Sequence, residues 1–171
     1  MMIKKEFEDF LDKQLYQKKE RKSEWEETKN KWVKNIDIFY ASIERLLEKY
    51  IQSGKISTKY INYTVYEENI GAYDTKKLIL TLGQQQVYFT PIGRLIIGAE
   101  GRIDMEGTLG KVRFIYTKNT SKDEVVSPIF LEEGKDNIPA SWKISTPPPQ
   151  LHYIDINEES FLDALMEIVN G

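Results

Sequence analysis

Cysteine is absent from this chain and histidine occurs once. Without thiols there is no disulfide framework and no thiolate zinc site, so the small secreted scaffolds that depend on them are excluded and a reducing compartment, the cytoplasm, is expected. A single imidazole, His152, removes most cysteine-free metal sites and most catalytic triads. It shares the face of an expected strand with Ile154 and Ile156, where a partly buried structural role is expected. Long apolar runs are missing as well. Leu95-Ile96-Ile97 is among the longest, far short of the roughly 20 residues that span a bilayer. The first ten residues turn charged and amphipathic at once, without the apolar stretch of a signal peptide, so no membrane segment is expected. Nor does either charge dominate: 24 Lys and Arg stand against 27 Asp and Glu, a net charge of -3. That balance argues against a broad basic surface, and nucleic acid is not an expected partner.

The first 53 residues hold neither glycine nor proline, and their apolar side chains recur at helical spacing. Ile3, Phe7, Phe10, Leu11 and Leu15 form one stripe, interrupted by the charges of Lys18 to Lys22. Ser23 with Glu26 reads as a capping box, which predicts a break near Ser23 and a helical hairpin. A second, heptad-like stripe steps through Trp25, Trp32, Ile36, Phe39, Ile43, Leu46 and Tyr50, out of step only at Lys29. This coiled-coil-like helix is predicted from about Glu24 to Ser53, with Gly54 ending it. At 1.5 Å per residue it is roughly 45 Å long, against a radius of gyration of about 15 Å for a domain of this size. It is expected to span or overhang the body.

Beyond Gly54 the period drops from 3.6 to 2. Ile61, Tyr63 and Val65, then Leu78, Leu80 and Leu82, then Val87 and Phe89 alternate with more polar residues, as strands joined by short antiparallel links do. Half of the ten glycines fall between Gly93 and Gly110, predicting bends or bulges that curl the sheet. From Asn119 to Gln150 the pattern fades into loop with Pro128, Pro139 and Pro147 to Pro149, although Val125, Val126, Ile129, Phe130, Leu131 and Trp142 are candidates to cover a sheet edge. A strand over Leu151 to Ile156 follows, then a short helix capped by Asn157 that buries Phe161, Leu162, Leu165 and Ile168. The expectation is a single α+β domain spanning residues 1–171. A helical arm (1–53) packs on a curved, mostly antiparallel sheet of about five to seven strands (54–156), followed by a C-terminal helix (157–171).

The string Gly98 to Glu106 places alternating carboxylates on a strand, as in acid-dependent nucleases and hydrolases. A plainer arrangement accounts for the same residues. With Gly107 to Gly110 as a four-residue hairpin loop, Glu106 faces Lys111 and Asp104 faces Arg113, while Met105 faces Val112 and Ile103 faces Phe114. Glu67 and Glu68 read as acids at a strand end. Gly98-x-x-Gly101 is too short for a dinucleotide fingerprint, and Ser127, Ser141 and Ser145 lack a nucleophile elbow. The tyrosines, among them Tyr60, Tyr63 and Tyr66, are good strand formers in a sequence that is not basic, so they do not point to base stacking.

Trp25 and Trp32, one heptad apart, need a cover, either from the first helix folding back with Phe7, Phe10 and Leu11 or from a second chain. The leading expectation is therefore a non-enzymatic protein-binding module. It would be a small accessory or regulatory subunit, with Trp25, Trp32, Ile36 and Phe39 contacting another protein chain, its own copy or a different one. No catalytic residue, cofactor or metal is assigned. Two alternatives stand beside it: a metal-dependent hydrolase or nuclease using Glu68, Glu100, Asp104 and Glu106, and a small-molecule binder with a pocket under the curved sheet.

Overall fold

The computed structural model describes residues 2–68, 71–94, 100–118, 140–147 and 152–169. With no glycine or proline to interrupt it, the N-terminal helix α1 runs unbroken over Met2–Leu46, roughly 68 Å at 1.5 Å per residue. The break predicted at Ser23 does not occur, and the arm is a single long helix instead of a hairpin. Serine inside a helix costs only a few tenths of a kcal/mol relative to alanine. A capping box is useful only where the chain leaves helical geometry, and nothing here makes it leave. Lys4 with Glu8, Lys5 with Asp9 and Asp9 with Lys13 stand at the four-residue spacing that supports helix. After a turn at Leu47, α2 covers Glu48–Gln52. Gly54, at a φ of 77°, closes it. The Lys55 N–H donates to the Tyr50 carbonyl (2.9 Å) and the Gly54 N–H to that of Ile51 (3.1 Å), which is the Schellman pattern.

Seven strands then follow as an antiparallel meander in chain order: β1 (Ile56–Glu67), β2 (Gly71–Leu82), β3 (Gln85–Gly93), β4 (Gly101–Glu106), β5 (Lys111–Lys118), β6 (Ala140–Ser145) and β7 (Tyr153–Asp155). The β4–β5 register is the one expected from the charges, Met105 opposite Val112 and Glu106 opposite Lys111. Gly107 N–H donates to Gly110 O (2.9 Å) across the four-residue loop. A register shift between Pro91 and Gly93 supplies a bulge at the end of β3. β6 lies in the stretch expected to be loop; Trp142 and Ile144 are buried on it, and Lys143 pairs with Asp155 of β7. The expectation of edge cover from Val125, Val126, Ile129, Phe130 and Leu131 lies outside the described residues.

The C-terminal helix α3 (Glu158–Ile168) starts where expected. Asn157 Oδ1 accepts from Ser160 N–H, and Ser160 Oγ accepts from Asn157 N–H, both at 2.9 Å. Phe161, Leu165 and Ile168 are buried, and the Ile168 carbonyl takes the Leu109 N–H of the β4–β5 loop. His152 precedes β7 and is exposed together with Ile154; only Ile156 of that trio enters the core. The partly buried place expected for the histidine is therefore not found. β7 is a three-residue strand at the sheet edge, with too few neighbours to cover it.

The core forms between the sheet and one half of α1. Trp32, Ile36, Phe39, Tyr40, Ile43 and Leu47 are at most 2% exposed, packed with Leu78, Leu80, Phe89, Ile103, Met105, Phe114 and Trp142. Close approach fixes the residue at 101: a Cβ on Gly101 would overlap the ring of Trp32, which has no room to swing. Gly101→Ala is therefore expected to cost about 1–3 kcal/mol, seen in thermal denaturation as a Tm lower by roughly 5 °C in a chain of this size. Gly110→Ala, whose Cβ would meet only Ile168 Cγ2 at 3.7 Å, is the control and should leave Tm nearly unchanged.

Candidate functional site

Phe39 shows what covers the aromatic seam. Its ring centroid lies 4.6 Å from that of Trp142, 5.1 Å from Phe114 and 6.1 Å from Phe89, while Trp32 lies 5.7 Å from Trp142. Of the four residues assigned to a partner contact, Trp32, Ile36 and Phe39 are thus buried under the chain's own sheet, and Trp25 alone is on the surface, 45% exposed. Neither cover foreseen for Trp32 is the one observed: residues 2–22 do not fold back, and the sheet takes their place.

The surface that α1 leaves open lies further toward its N-terminus. Every residue from Met2 to Glu27 is exposed. Ile3 (78%), Phe7 (59%), Phe10 (53%), Leu11 (48%) and Leu15 (54%) hold their apolar area in water, and the Phe7 and Phe10 rings stack 6.4 Å apart. Helical phase ties this stripe to the core. Thirty-six residues make about ten turns of 3.6, and that spacing carries Ile3 to Phe39, Phe7 to Ile43 and Leu11 to Leu47, all three fully buried. The arm's apolar face is therefore the uncovered continuation of the face that the sheet covers.

Of the acids in the acidic alternative, Asp104 is engaged by its own neighbours. Asp104 is buried and receives Arg102 Nε (2.6 Å) and Nη2 (2.8 Å), with Lys111 Nζ at 3.7 Å, so its charge is matched by adjacent cations. Glu68, Glu100 and Glu106 are exposed. Among the described residues no group of three or more His, Cys, Asp or Glu is placed to hold a metal ion.

A second buried acid is Glu67, inward-facing at the end of β1 and only one position from the exposed Glu68. Trp32 Nε1–H donates to Tyr73 Oη (3.0 Å), the Tyr73 hydroxyl donates to Glu67 Oε2 (2.5 Å), and the Arg94 backbone N–H donates to Glu67 Oε1 (2.7 Å). This relay satisfies the indole and pins the β3 bulge to β1. Alternation along Tyr63, Val65 and Glu67 was the one sequence signal for it.

As for a pocket, the concave side of the sheet is filled by the α1 side chains named above. A shallow open groove of about 530 Å³ lies outside it, lined by Ala41, Glu44, Arg45, Glu48, Ile51, Gln52 and Thr58. Among the described residues no helix is long and apolar enough to cross a membrane. Compared with protein-family models, curated proteins and solved structures, the chain matches none.

Burial pushes the phenols of Tyr40 and Tyr73 above the ordinary tyrosine range, helped at Tyr73 by its bond to the Glu67 carboxylate. A folded pKa above the unfolded one stabilises the fold below about pH 10, and that contribution is lost as pH rises beyond it. In an alkaline titration followed at 295 nm, these two phenols should ionise only as the protein unfolds. Ionisation of Tyr40 and Tyr73 with the fold intact would contradict this. Tyr73→Phe, which strands a buried indole N–H and takes one donor from the Glu67 carboxylate, should cost about 1–3 kcal/mol in chemical denaturation.

Proposed function

We propose that this chain is a non-enzymatic protein-binding module, an accessory subunit that meets another protein chain through the arm Met2–Glu27 of α1. The observation that carries the reading is the exposed stripe of Ile3, Phe7, Phe10, Leu11 and Leu15 on the half of α1 that lies outside the core, exposed at every residue from Met2 to Glu27. Large aromatic and aliphatic side chains dominate interface energetics, and i, i+3, i+4, i+7 anchors are how an amphipathic helix is read by a protein partner. A helix of this length without tertiary packing is marginal in water, so a partner also supplies the ordering it lacks. The flanks of the stripe favour protein over an anionic bilayer. Membrane-surface helices carry Lys and Arg beside the apolar face, whereas Glu6, Glu8, Asp9 and Asp12 outnumber Lys4, Lys5 and Lys13 here. The lack of cysteine suits work in the cytoplasm.

Site-specific photocrosslinking in the cells of origin tests the reading. A crosslinker at position 10 should give a discrete protein adduct, and Leu11→Glu should abolish it. The same probe at Tyr66, which is 80% exposed on the sheet, should give none. Equal labelling from both positions, or none from position 10, would overturn the arm as a contact surface.

A further inference from the structure

We infer that the arm's occupant is a second copy of this chain, the two arms lying antiparallel with residue i beside residue 29−i. This rests on the arm being a protein contact and goes on to say which protein. Charge is distributed along the arm in blocks: Lys4 and Lys5 are basic, Glu6 to Asp12 carry four acids and no base, Lys18 to Lys22 carry four bases and one acid, and Glu24 to Glu27 carry three acids. Each self-pairing brings different blocks together. A parallel pair in register sets acid on acid and stacks Lys18 and Lys22 on themselves in the seam. An antiparallel pair centred on Asp9 matches Ile3 with Leu15 and Phe7 with Leu11, yet opposes Glu6 with Asp12 and Asp9 with itself.

Centring the antiparallel pair between Gln14 and Leu15 resolves both conflicts. The acidic block then faces residues 17–23 of the partner copy, which hold the basic block, and Lys5 faces Glu24. Glu8 stands level with Arg21. In the seam, Phe7 and Leu11 lie against the methylene stems of Lys22 and Lys18, which can cover apolar surface while their ammonium groups reach water and the facing acids. Ile3 comes level with Glu26, one position from Trp25, the half-exposed tryptophan at the base of the arm. The lysines that break the apolar stripe in the sequence thereby become the complement of its acidic flank, as charged flanks in helix pairs set orientation and partner. Such a two-fold interface is self-complementary, and since its charges are near the surface it weakens as salt rises.

Because the chain has no cysteine, engineered single thiols report the geometry cleanly. Sedimentation velocity across a concentration series should show a dimer that dissociates with added salt. Reversing Glu6, Glu8, Asp9 and Asp12 to lysine should abolish it, and reversing Lys18, Lys19, Arg21 and Lys22 to glutamate in the same chain should restore it. Under oxidation, a Glu8→Cys chain mixed with an Arg21→Cys chain should crosslink, while Leu11→Cys should not crosslink to itself. Self-crosslinking of Leu11→Cys would overturn the antiparallel register. A monomer at every concentration would overturn self-pairing. In that case a different protein captured at position 10 would leave the binding-module reading standing, and no adduct there would remove both.

Discussion

The fold depends on a single contact, the α1 seam of Trp32, Ile36, Phe39, Tyr40, Ile43 and Leu47 against the concave side of the sheet. Each of these side chains contributes on the order of 2 kcal/mol by leaving water. Phe39 sits at the centre, touching rings from β3, β5 and β6 together. A meander whose neighbours are all consecutive has only local pairings to hold it, and without this helix the part of its inner face that α3 does not cover would be bare. The glycine at 101 is a consequence of the same contact, since the backbone of β4 comes close enough to the Trp32 ring to leave no space for a side chain.

The same helix is too long for its sheet. Its apolar residues keep one helical phase from Ile3 to Ile43, interrupted at Lys18, Lys22 and Lys29, but cover begins only near Trp32, so one amphipathic surface is divided between an intramolecular core and an open arm. The two halves differ in what flanks the apolar residues. In the arm the charges are grouped by sign, which is what the proposed self-pairing uses. The proposed role as a binding module and the proposed antiparallel self-pairing both follow from that division.

Much of the fold was legible in the sequence where two independent constraints agreed. The β4–β5 hairpin was readable because charge and apolarity alternate together on both strands, so only one register satisfies both. Gly54 and Asn157 were readable because positive φ and side-chain capping are chemical demands met by few residues. Ser23 misled because a capping signal says where a helix can start, and the chain contained nothing to make one stop. β6 was hidden by surrounding prolines, and Glu67 by its twin Glu68, since only tertiary packing decides which of two adjacent acids points inward. At Trp32, Ile36, Phe39 and Ile43 the heptad pattern marks a surface that is covered, whereas Trp25 in the same pattern is 45% exposed; that the cover comes from the sheet is not legible, because a heptad pattern carries no information about the shape of its partner.

Hydrogen exchange on the intact chain tests the central claim most directly. If one stripe is divided between core and arm, amides of Trp32 to Leu47 exchange only through global unfolding. Those of Met2 to Glu27 exchange many-fold faster in dilute solution and gain protection as the protein is concentrated. Equal protection of both segments at every dilution would mean that the arm is covered by its own body, and the account would be contradicted.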